Sequence, residues 1–227
     1  MDMEITLPDV VPAMTLPNVT FFPRALLPLH IFEPRYREML RDVLATRRIF
    51  AVLGLDETRT QRTDLNEPPH RIASVGIIRA CQKSENGTSN LLLQGLWRVE
   101  VVEILTDQPY RRVRIRALAS VPLGNADSAA RLREELNRLI ALKQRLGAAV
   151  PVEMTNFLRG IDDPETFVDL AAFSLCENAA LRQKLLETLD IHRRLELFGR
   201  QLRSEIRGLR LQHRLQGRLP DHRISDN

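Results

Sequence analysis

Residues 16–40 read LPNVTFFPRALLPLHIFEPRYREML, with prolines at 17, 23, 28 and 34 and mostly apolar side chains between them. Proline has no backbone N–H and a fixed φ, so it does not belong inside a central strand or a helix interior. A segment this apolar must be buried, yet it cannot form one long strand or one long helix. It is predicted to fold into short strands that start, end or kink at Pro23 and Pro28. Pro34 acts differently, because its φ suits the first position of a helix. Behind it, Tyr36, Met39, Leu40, Val43 and Leu44 recur at helical spacing, while Arg35, Arg37, Glu38, Arg41 and Asp42 take the other face. The spacing predicts an amphipathic helix over residues 34–46.

Strand signals then follow up to about residue 118. IFAVLGL (49–55) is apolar throughout and reads as a buried strand, whereas DETRTQRTDLNEPPH (56–70) reads as a long exposed loop. ASVGIIRACQ (73–82) is another strand, with Gly76 marking a bulge or a close backbone approach. SENGTSN (84–90) carries the Asn-Gly hairpin signal ahead of the long apolar segment NLLLQGLWRVEVVEIL (90–105). RRVRIRAL (111–118) alternates strictly, with Val113, Ile115 and Ala117 on one face and Arg112, Arg114 and Arg116 on the other.

After residue 120 the period changes to helical. Segments at 128–147, 154–160, after Asp163-Pro164 and at 181–189 precede a last helix from Asp190 to about residue 216. That helix carries Ile191, Leu195, Phe198, Leu202, Ile206 and Leu209. The expected organisation is α+β: a β-rich part over 1–120, a helical bundle with a long C-terminal helix over 121–216, and a flexible tail over 217–227.

Composition removes several function classes. Apolar residues are 44% of the 227, enough for a sizeable core, and no run is long enough to span a membrane. The acidic start, MDMEITLPDV, lacks the basic region of a signal peptide, so a cytoplasmic location is expected. Cys81 and Cys176 are far apart, which fits two reduced thiols rather than a disulfide scaffold or zinc site. The ten glycines form no phosphate-binding or dinucleotide cluster, and the five histidines show no metal-ligand spacing, so no cofactor and no metal are expected. His30, in an apolar stretch, is expected to be a partly buried, hydrogen-bonded ring. Lys143 and Lys184 are placed on exposed helix faces, unsuited to a Ser-Lys dyad. No catalytic constellation emerges, and the chain is read as a non-enzyme.

The proline-rich stretch resembles the signature of the Lon protease N-terminal domain family, at Pro17, Asn18, Pro23, Pro28, Leu29, His30, Phe32, Glu33, Pro34, Arg35, Tyr36 and Arg37. SVGIIRACQ, NLLLQGLWRVEVVEIL (at Gly95, Arg98, Val99 and Val101), DQPYRRVRIRAL and KLLETLDIHRRLELFGRQL are similar to later segments of that family. The resemblance covers about residues 10–210. It implies a PUA-like β-barrel subdomain followed by a helical bundle. The ATPase and peptidase sequences of a Lon protease are not among these residues, so the resemblance carries over neither activity.

What the resemblance implies is a module that binds unfolded or specific polypeptides, with an adaptor role beside a separate protease as one form of it. The candidate surface comprises Phe21, Phe22, Leu26, Phe32 and Trp97, with Arg24, Glu33, Arg35 and Arg98 as polar anchors; core packing and structural ion pairing are the competing roles. The alternative is RNA binding through Arg112, Arg114 and Arg116. All but three of the 33 basic residues are arginine, but only 5% of the chain is aromatic, and Glu100 and Glu103 are placed to neutralise the row. Nucleic acid is therefore the weaker expectation. A small-molecule pocket, as in a ubiquitin-ligase substrate receptor with a Lon-like domain, is weaker again. The apolar stripe of the last helix also allows a homodimer through residues 195–215.

Overall fold

The computed structural model describes residues 6–60, 67–106, 109–121 and 126–216. The expected tail at 217–227 and residues 61–66 of the expected loop lie outside these. The elements are β1 (Val10–Leu16), β2 (Leu26–Ile31), α1 (Pro34–Leu44), β3 (Ile49–Gly54), β4 (Ile72–Lys83), β5 (Ser89–Thr106) and β6 (Arg111–Ala117), then α2 (Ala126–Arg145), α3 (Val152–Arg159), α4 (Pro164–Leu175), α5 (Ala179–Glu187) and α6 (Ile191–Gln216). This is the α+β order expected, six strands followed by helices.

Five strands close a ring. β1 pairs in parallel with β3, and β3–β4, β4–β5, β5–β6 and β6–β1 are antiparallel. Every second residue of each strand faces the interior: Val11 and Ala13, Ile49, Ala51 and Leu53, Ala73 and Val75, Val99 and Val101, Val113 and Ile115. The period-2 pattern is thus the barrel wall, and its small and β-branched side chains fill a narrow core. β5 is long enough to serve twice. Its second half belongs to the ring, while its first half extends beyond and carries β2, with Leu27 opposite Leu93 and Leu29 opposite Leu91. Among the described residues β2 pairs only with β5, so its other edge is open.

The prolines act as local punctuation. Pro17 follows β1 directly and Pro34 is the first residue of α1. Pro28, however, lies inside β2 rather than at its end, a position an edge strand tolerates because one row of its backbone groups is unpaired. α1 buries Tyr36, Met39, Leu40 and Val43 as its spacing predicts, while Leu44 is left partly exposed. Gly76 meets both readings made of it: the β4–β5 register shifts between Val75 and Gly76, and a methyl there would press on Leu93, Gln94 and Phe21.

The chain divides by contact into two units. One comprises Met1–Pro122 with Asp169–Asp190, and the other Leu123–Val168 with Ile191–Asn227. The first therefore takes the end of α4 and all of α5 from what the sequence reads as one helical bundle. Side chains explain this: Arg98 holds Asp169, Gln183 donates to the Ile72 carbonyl, and Arg182 donates to the Asn18 carbonyl. In the second unit α2 packs along α6, with Leu136, Ile140, Leu195, Phe198, Leu202 and Ile206 buried. Lys143 is a correction. It is buried rather than exposed, and it pairs with Glu205 at 2.8 Å.

Candidate functional site

β2 presents its residues alternately. Leu26, Pro28 and His30 are exposed; Leu27 and Leu29 are half-buried and Ile31 is buried. Phe32 follows in the same alternation and is 60% exposed, while Leu26 is 50% exposed. His30 is exposed, not partly buried as its apolar surroundings imply. Its Nδ1 is 2.7 Å from Asn90 Oδ1, and its ring stacks on Phe32 with centroids 6.0 Å apart. Leu26, Pro28, His30 and Phe32 thus form one apolar face beside an open strand edge.

Just beyond, the chain turns into α1 through an ionic cluster. Arg35 Nη1 and Nη2 donate to Glu67 at 2.9 and 2.8 Å, and Arg35 Nε donates to Glu33 at 2.9 Å. The Arg35 guanidinium lies 4.5 Å from the Tyr36 ring centroid. The Glu67 bonds hold Arg35 more firmly charged than usual, against a smaller effect of burial. Glu67 itself sits at positive φ, and Arg111 donates to its carbonyl. Arg35 and Glu33 therefore pin the end of the long connection to the strand–helix corner. Burial raises the Tyr36 phenol above its ordinary value, and its hydroxyl donates to the Thr15 carbonyl.

Other expected surface residues are placed elsewhere. Phe21 and Phe22 are fully buried. They belong to the core because the turn at 22–25 lies on β5, with Arg24 N donating to the Gly95 carbonyl and Gly95 N to the Ala25 carbonyl. Arg24 is exposed on that turn, at positive φ. Trp97 is half-buried against the barrel core. Arg98 is 3% exposed and donates through Nη2 to both carboxylate oxygens of Asp169, at 3.1 and 3.0 Å, so it is a buried structural partner and not a surface anchor. Sequence reasoning missed Asp169 and Glu67. An acid within the apolar run FVDLAAF was the available signal for Asp169; Glu67 carried none.

The arginine row is exposed, and it is laced with acids. Arg114 Nε donates to Glu103 at 3.2 Å, Arg116 pairs closely with Glu100, and Arg71 reaches the same Glu100 at 2.7 Å. Among the described residues no cluster of three or more His, Cys, Asp or Glu is arranged to hold a metal ion. No described helix is long and apolar enough to cross a membrane.

The chain is similar in sequence to Lon proteases. It is 24% identical over 217 residues to that of Dictyoglomus thermophilum and 27% identical over 217 residues to that of Trichlorobacter lovleyi, covering 92% and 94% of this chain. In each case the match takes in only 26% of the relative, so the chain spans about a quarter of their length. The fold matches the N-terminal domain of a Mycobacterium avium complex Lon protease (TM-score 0.65, 17% identity, 87% of this chain and 97% of that one). It also matches a Lon N-terminal domain protein of Xanthomonas campestris (TM-score 0.60, 22% identity, 83% and 96%). The family described as the ATP-dependent protease La (LON) substrate-binding domain matches residues 10–204, and the chain belongs to that family.

Proposed function

We propose that this chain is a non-catalytic polypeptide-binding module whose contact surface is the exposed face and open edge of β2, continued by Phe32. The observation that carries the reading is the exposure of Leu26 and Phe32 on one face of an edge strand, within the stretch that resembles the family signature. Apolar side chains of an unfolded segment would pack on that face, and unpaired backbone groups of β2 offer strand addition along it. Pro28 limits that addition, since it supplies no donor. In this reading the module presents segments to a separate protease as an adaptor. Self-association through α6, which exposes Leu211 and Leu215, would give it two such surfaces.

The test is fluorescence anisotropy of a labelled unfolded polypeptide with the wild-type chain and with Leu26→Asp/Phe32→Asp. Both side chains are exposed, so the melting temperature is expected to change little. Loss of binding by roughly tenfold or more is expected from removing two apolar anchors. Unchanged affinity would overturn the placement of the surface.

A further inference from the structure

Where β2 ends, a groove of about 580 Å³ opens between α1 and the β4–β5 hairpin. Ser89, which pairs with Ile31 at the end of β2, lies on its wall. Pro34, Leu40 and Leu44 give it an apolar lining, and its ionic groups are Arg37, Arg41 and Lys83 against the single carboxylate of Glu38. Arg41 lies 3.5 Å from Glu38 and 3.5 Å from Asp42. Arg37 and Lys83 make no ion pair among the described residues.

The hairpin is built to bring Arg37 in. Gly87 sits in its turn at φ +79°, and a methyl there would collide with the Arg37 guanidinium. Glycine adopts that φ at no steric cost and leaves room for the guanidinium over it. On the other wall, α1 contributes Arg37 and Arg41. Two elements, α1 with Arg37 and Arg41 and the hairpin with Lys83, thus bring basic side chains to one partly apolar groove.

We infer that this groove binds acidic residues of a polypeptide whose apolar residues lie on β2 and Phe32, so that the module selects acidic over neutral segments. The inference rests on the polypeptide-binding reading above. Charge complementarity selects the occupant. RNA is the other polyanion to consider, but no aromatic side chain lines the groove for a base to stack on.

The experiment compares two labelled peptides with the same apolar residues, one with Asp and Glu and one with Asn and Gln in their places. Each is titrated at low salt into wild type, Arg37→Glu/Lys83→Glu and Phe32→Asp. Wild type is expected to bind the acidic peptide roughly tenfold more tightly, as two exposed pairs allow. Arg37→Glu/Lys83→Glu is expected to lose that preference and keep its affinity for the neutral peptide, while Phe32→Asp weakens both. Arg37→Gln/Lys83→Gln gives the same reading, with a smaller change, if charge reversal disturbs the hairpin. Equal wild-type affinities, or a preference that survives both double variants, would overturn this inference and leave the polypeptide reading standing. Binding of neither peptide would overturn both. A short uridine-rich RNA that displaces the acidic peptide and binds more tightly than it would reassign the groove to nucleic acid.

Discussion

Arg98 and Asp169 show how one residue ties distant segments together. Both side chains are almost fully buried, and Arg98 Nη2 donates to both carboxylate oxygens of Asp169. A buried pair of this kind contributes little relative to an apolar substitute, yet breaking it strands a charge. Asp169→Ala is therefore expected to cost about 3–5 kcal/mol in denaturant unfolding, and Arg98→Met/Asp169→Leu to recover most of that loss. A loss under 1 kcal/mol on Asp169→Ala would mean that Arg98 finds other partners. Tyr36 gives a pH-dependent prediction. Burial raises its folded value above the ordinary value of 10.0, so the unfolded chain releases its proton first. The stability it contributes is fully present below pH 10 and is lost as pH rises through its folded value. Tyr110, raised by burial and by its bond to Asp42, acts in the same direction. Tyr36→Phe is expected to flatten the alkaline limb of a stability–pH curve; an unchanged slope above pH 10 would remove Tyr36 as its cause.

At the scale of elements, β2 depends on a close approach. The turn that feeds it lies on β5 at Gly95, where a methyl would run into the Phe22 carbonyl. Gly95→Ala is expected to cost about 1–3 kcal/mol by overpacking, and to weaken polypeptide binding because the turn and β2 shift together. Normal affinity in a destabilised Gly95→Ala chain would separate β2 from the binding surface. The same element marks what the sequence can reveal. Alternation at Val113–Ile115 announces a strand with one buried face, the apolar runs at 49–55 and 73–82 announce two more, and the stripe after Pro34 announces α1, because period follows from backbone geometry. Which strands become neighbours does not follow from period. The open edge of β2 was therefore hidden, as was the burial of Phe21 and Phe22, which look as exposed in sequence as Phe32. The assignment of α5 to the barrel unit was hidden for the same reason, since Gln183 reaches the Ile72 carbonyl across more than a hundred residues of chain.

For the whole molecule, the question is whether a net charge of +4 and an excess of arginine direct it to nucleic acid. The placement of the charges argues against that. Arg114 and Arg116, two of the three arginines of the row on β6, pair with Glu103 and Glu100, and Arg35, Arg98, Arg194 and Arg203 elsewhere also pair with a Glu or Asp of the same chain. A polyanion would have to compete with carboxylates already seated there. The salt dependence of binding separates the two cases. Packing on Leu26 and Phe32 releases few ions, so affinity for a neutral unfolded polypeptide is expected to change less than about threefold between about 0.05 and 0.5 M salt. RNA held by the arginine row would lose about an order of magnitude per phosphate contact over the same tenfold range. The acidic increment assigned to Arg37 and Lys83 should fade with salt while the apolar part remains, leaving acidic and neutral peptides bound alike at high salt. A steep loss of neutral-peptide binding would place the contact on charge rather than on β2.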